Sequence, residues 1–96
     1  MKIIFLASCK ADLRWFKHYY MSRFPEGRQN ADAQFLKAKE LLSNNPHIGH
    51  PVEGMAGVRV HSVTRTPFAF IYRVTDDAIQ VLRVLDSRAE ESNDLI

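Results

Sequence analysis

The side chains best suited to chemistry in this sequence are its arginines. Arg59, Arg65, Arg73, Arg83 and Arg88 follow Lys39, and no lysine comes after that position. A guanidinium is a planar, permanently charged fork that grips carboxylates and phosphates, but at its high pKa it is a poor proton carrier. Arginines alone therefore suit recognition or charge stabilisation better than general acid–base work. His47 and His50, with Glu53 and His61 beyond, have the loose spacing of metal ligands. They sit in a Pro/Gly loop with no cysteine pair to complete a tetrahedral site, and read as solvated loop histidines. Cys9 falls at a helix start, where a thiolate is favoured, but no histidine is marked as its base. The four glycines are scattered and build no phosphate-cradling loop. No metal and no cofactor is expected.

The chain has 96 residues, and a single domain spanning 1–96 is the expectation. A hydrophobic fraction of 46% with 25% charged residues is ordinary globular composition. No apolar run approaches the roughly 20 residues that cross a bilayer. The opening MKIIFLASC has an apolar core of only Ile3 to Ala7, shorter than the roughly 7–15 residues of a signal-peptide core, so it reads as a strand. A lone cysteine cannot form an internal disulfide, which fits a reducing, cytoplasmic setting. The net charge of +2 is small for a general nucleic-acid binder. Neither a membrane nor direct sequence-specific nucleic-acid binding is expected.

The arginines must be positioned by the stretch Gly57 to Asp86. β-branched and aromatic residues dominate it, and it reads as three antiparallel strands with turns at Thr66-Pro67 and Asp76-Asp77. The connections are too short for parallel crossovers, so this is a meander. Both parities of the later strands are apolar, which predicts a sheet buried on both faces. Before the meander, Lys2 to Ala7 is a first strand. Ser8 is placed to N-cap a helix running to about Phe24, with Leu13, Phe16, Tyr20 and Phe24 as its apolar stripe. Trp15 and Tyr19 form an adjacent aromatic pair, suited either to core or to interface. A second helix begins between Glu26 and Ala31 and ends near Asn44, with Ala31, Phe35, Ala38 and Leu42 as its buried stripe. His47 to Ala56 is a loop. Ser87 to Glu90 fits a capping box, which predicts a short last helix running to about Asp94. The order is β-α-α-β-β-β, an α+β domain whose helix hairpin covers one sheet face and leaves the other open.

These residues, in this order, resemble the ParE/RelE superfamily of bacterial type II toxins. The resemblance is carried by Ala11-Asp12-Leu13, the spacing of Leu42, Pro46 and Gly49, and Gly57-Val58-Arg59. Pro67-Phe68 leading to Tyr72-Arg73, and Val84-Leu85 leading to Arg88, complete it. It leans to the ParE branch. Many ParE-like chains carry a histidine just before the final arginine motif, where this chain has Asp86. The resemblance implies a toxin that inhibits DNA gyrase by protein binding, without catalysis. It also implies neutralisation by a cognate ParD-like antitoxin carrying a ribbon-helix-helix DNA-binding domain.

The alternatives are a RelE-like ribosome-dependent mRNA endonuclease, and a non-toxic binding module that kept the fold. RelE-like nucleases are thought to use lysines and arginines of the sheet and a tyrosine near the C-terminus. Here no lysine follows Lys39 and no tyrosine follows Tyr72, and the tail AEESNDLI is acidic. The expected antitoxin-binding set is Arg59, Arg73, Arg83 and Arg88, lining the open face or its rim, with Trp15, Tyr19, Phe68 and Phe70.

Overall fold

A computed structural model describes residues 1–88 of the chain. Strand β1 (Lys2–Phe5) leads to helix α1 (Lys10–His18) and helix α2 (Arg28–Asn44). Strands β2 (His50–Pro51), β3 (Val58–Ser62), β4 (Phe68–Val74) and β5 (Ala78–Asp86) follow. This is the expected α+β arrangement, with additions. The sheet has five strands in the order β1-β5-β4-β3-β2. The meander is antiparallel, but β1 lies parallel to β5, with Lys2 opposite Ala78 and Phe5 opposite Val81. The two residues of β2, read from sequence as loop, pair with Val60 and Arg59 of β3. No described helix is long and apolar enough to cross a membrane.

The helix stripes hold except at Phe24, which is 43% exposed, and the first helix shifts at its ends. Ala31, Ala38 and Leu42 are buried and Phe35 packs on the main core, as the spacing of α2 requires. From α1, Phe16 meets Phe68 edge-on with ring centroids 4.8 Å apart, and Phe35 meets Phe70 in the same way at 5.1 Å. Burying each such side chain contributes roughly 1.5–3 kcal/mol. The first helix ends earlier than expected. After His18 it widens into a π-helical turn over Tyr19–Arg23, closed by the Phe24 N–H donating to the Tyr19 carbonyl at 2.8 Å. Ser8 does not cap α1. It lies in a 3-10 turn (Ala7–Cys9), and its hydroxyl donates to the Leu82 carbonyl. The turn at Asp76-Asp77 is held by Thr75, whose hydroxyl bonds the Ala78 backbone, and not by the aspartates.

The two-faced apolar pattern has a local cause in β5. Between β4 and β5 the register steps from Ile71 opposite Arg83 to Tyr72 opposite Val81, so Leu82 is an extra, bulged residue. The bulge switches the parity. Ile79, Val81 and Val84 join the main core beneath the helices, while Leu82 and Leu85 join a second cluster with Val58, Ile71, Val52, Met55 and Val60. The second face is therefore less apolar than simple alternation suggested. It is also partly covered, because Val52 and Met55 of the loop between β2 and β3 pack on it. The expected last helix lies beyond Arg88, outside the described residues.

Candidate functional site

β1 accompanies β5 only as far as Val81. Beyond it, β5 would present an unpaired edge. The start of the first helical segment fills that place. Ser8 Oγ donates to the Leu82 carbonyl at 2.6 Å, and Cys9 Sγ to the Val81 carbonyl at 3.1 Å. The Val84 N–H donates to Asp12 Oδ2 at 3.0 Å. Asp12 also accepts a bidentate grip from Arg83, with Nε and one terminal nitrogen both at 2.7 Å. The Asp12 side chain is only 10% exposed. A carboxylate that buried needs such a partner, since burying an unpaired charge is prohibitively costly. Cys9 beside it is held in the thiol form: burial, and then the nearby Asp12 charge, push its pKa up to about 11.

A second carboxylate organises the end of the sheet. The Trp15 indole N–H donates to Asp86 Oδ2 at 3.0 Å. Arg88 donates to Asp86 from its backbone N–H and Nε at 3.0 Å, and from a terminal nitrogen at 2.9 Å. The same guanidinium donates to the Tyr19 hydroxyl at 2.7 Å and lies 4.3 Å from the centre of that ring. Burial would push the Asp86 carboxyl up, but the bonds from Arg88 and Trp15 outweigh it and hold the group below the usual carboxylate range.

The third convergence lies where α2 hands over to β2. The Tyr72 hydroxyl donates to the Pro46 carbonyl at 2.8 Å and accepts from the Gly49 N–H at 2.9 Å. Arg59 donates to the Gly49 carbonyl at 2.7 Å and the His47 carbonyl at 3.2 Å. Arg59 pairs with Tyr72 across the ladder, on the helix-side parity. Arg73, by contrast, is exposed on the opposite parity and donates to Gln80 Oε1 at 2.8 Å.

The predicted site residues are thus not one patch. Of the four arginines, Arg73 and Arg83 fall in cross-strand rows with Val58 and Ile71 on the face away from the helices. Arg59 is on the other parity and Arg88 is at the sheet's far end. Phe68 and Phe70, 1% and 0% exposed, lie in the main core and offer no surface. Trp15 and Tyr19 are half-buried against that core and help frame Asp86. Asp12 and Asp86, the two residues that position Arg83 and Arg88, were missing from the predicted set. The signal for them was present, since aspartate stood inside one recognised motif and replaced a histidine beside another.

Comparison with known proteins bears on this geometry. A family model described as the ParE toxin of the type II toxin–antitoxin system parDE matches residues 3–90. Among solved structures, one described as the chromosomal ParDE TA system from P. aeruginosa is 30% identical in sequence. The match spans 88% of this chain and 92% of that one, with a TM-score of 0.68. No curated protein sequence matches.

Proposed function

The chain belongs to the ParE toxin family of type II toxin–antitoxin systems, and from that premise we propose that it inhibits DNA gyrase in the cytoplasm by protein binding, held in check by a ParD-like antitoxin. The observation that carries the non-catalytic reading is how the arginines are used. Arg83 and Arg88 are neutralised by Asp12 and Asp86, and the Arg59 fork is taken up by backbone carbonyls. RNA cleavage through the 2′-hydroxyl needs cations free to surround one phosphate, plus a base and an acid. Of the four arginines in the predicted set, Arg59, Arg83 and Arg88 are instead committed to holding the fold, and only Arg73 of that set is left on the surface.

We assign antitoxin recognition to the face away from the helices. Arg73 is exposed there beside the half-buried Val60 and Leu82. A partner segment that is disordered alone can order across such a surface, burying the apolar residues and offering Arg73 a carboxylate. The partner's ribbon-helix-helix part would remain free for DNA.

The test is paired. The purified chain is assayed for inhibition of gyrase supercoiling and for cleavage of ribosome-bound mRNA. Supercoiling inhibition with intact message is the expected result. Cleaved message with unaffected gyrase would replace this reading with the RelE-like one, and growth unaffected by expression would leave only a binding module.

A further inference from the structure

Two cationic side chains that the fold does not pair, Lys37 and Arg65, meet at a cavity between α2 and the end of β3. Gln34 and Lys37 of α2 stand over His61 and Ser62 at the end of β3, and over Thr64 and Arg65 in the turn that follows. These six polar residues, with Ala38 and Leu41 of α2, line a cavity of about 160 Å³. That is below the roughly 300–1,000 Å³ of pockets that take whole drug-sized ligands, so the space suits one small group.

Three observations say what kind of group. Among the described residues, the lining contains two cations, Lys37 and Arg65, and no carboxylate. Among the described residues neither cation forms an ion pair, in contrast to Arg83 and Arg88. The backbone supplies the third. Arg65 has φ of +62°, and the described residues otherwise enter that region only at Gly54 and Gly57. The turn is closed by the Thr66 N–H donating to the Val63 carbonyl at 3.1 Å. Arg65 is its third residue, the position where a positive φ calls for glycine or asparagine. A bulky side chain there is held against its own preference, and such outliers concentrate where a side chain has work to do.

We propose that this cavity is an oxyanion site that takes a single phosphoryl group, with Arg65 and Lys37 supplying charge and Ser62, Thr64 and Gln34 supplying neutral donors. Charge-assisted bonds from a guanidinium and an ammonium are the strong contacts in such a site. His61, which burial holds below the usual histidine range, adds a ring N–H donor. The phosphoryl group is either free phosphate or the terminal phosphate of a larger molecule. The site does not depend on the gyrase reading, since none of its residues belongs to the surface assigned to the antitoxin.

The test is an amide NMR titration of the full chain with inorganic phosphate at constant ionic strength. Saturable shifts centred on Lys37, Ser62, Thr64 and Arg65 are expected. Arg65→Gly relieves the backbone, so its melting temperature should hold or rise while phosphate binds at least tenfold more weakly. Lys17→Gln, on α1 away from the cavity, should bind as the parent does. A short oligonucleotide with and without a 5′-phosphate separates the sources. The same shifts from the phosphorylated form alone assign an attached phosphate, and shifts from inorganic phosphate only assign the free ion. Non-saturating shifts spread over all basic residues, or unchanged binding by Arg65→Gly, overturn the proposal.

Discussion

Asp86 accepts from the Trp15 indole, the Arg88 backbone and the Arg88 guanidinium at once, and this fixes how the molecule should respond to acid. Its folded-state pKa lies below the ordinary value of 3.8. The ionised form is therefore the one the fold prefers. Its stabilisation is complete above the unfolded-state pKa and is lost as pH falls through the lower folded-state value. Thermal melts should show the parent losing stability below about pH 4. Asp86→Asn should be less stable at pH 7 by about 1–3 kcal/mol and flatter across that acid window. Equal acid slopes would mean that Asp86 is not the group responsible. Asp12 has a different role, because it serves a side chain and a strand edge together. Asp12→Ala leaves Arg83 unpaired and the Val84 N–H without its acceptor, and should cost on the order of 3 kcal/mol in urea unfolding. Asp12→Asn keeps an acceptor for the N–H and should cost less.

Among the elements, the link between α2 and β3 shows why separate motifs belong together. Pro46, Gly49, Arg59 and Tyr72 come from three of the stretches that carried the family resemblance, and they meet in one hydrogen-bonded knot. A Cβ added at Gly49 would lie 2.7 Å from both the Tyr72 hydroxyl and the Val60 carbonyl oxygen, and the latter is backbone that cannot swing aside. Gly49→Ala should therefore destabilise by about 2 kcal/mol, read as a lower urea midpoint at unchanged slope. A change within about 0.5 kcal/mol would show that the loop can yield. The helices and the meander were legible because their periodicities are local: Ala31, Phe35, Ala38 and Leu42 mark one helix face without reference to any other part of the chain. The β1–β5 pairing was not legible, since strand composition does not name a partner 76 residues away. The bulge at Leu82 was invisible for a related reason, because one inserted residue turns regular alternation into an apparent apolar run on both faces. The arginines were identifiable by type, but Asp12 lies 71 residues from Arg83, and no spacing rule connects them.

For the molecule as a whole, the sheet divides two unequal apolar layers. The layer under the helices holds Phe16, Leu42, Phe68, Phe70 and Tyr72, and it stabilises the fold. Among the described residues, the other has Val58, Ile71 and Leu85 buried, with Val52, Met55, Val60 and Leu82 partly so. It is too thin to be a second core and too apolar to be a purely solvated face. Substitutions in the two layers should therefore separate folding from binding. Leu42→Ala removes a fully buried side chain and should cost 2–5 kcal/mol, lowering antitoxin affinity only through the folded fraction. Leu82→Glu and Arg73→Glu alter half-buried and exposed positions, so stability should move little. Each places a negative charge where a partner would bring apolar groups and carboxylates, and antitoxin affinity should fall at least tenfold by calorimetric titration. Leu36, 55% exposed on α2, is the matched control, since it is a large apolar residue on the helical side. If Leu36→Glu abolished binding while Leu82→Glu and Arg73→Glu left it intact, the antitoxin would lie against the helices, and the thin layer would need another explanation.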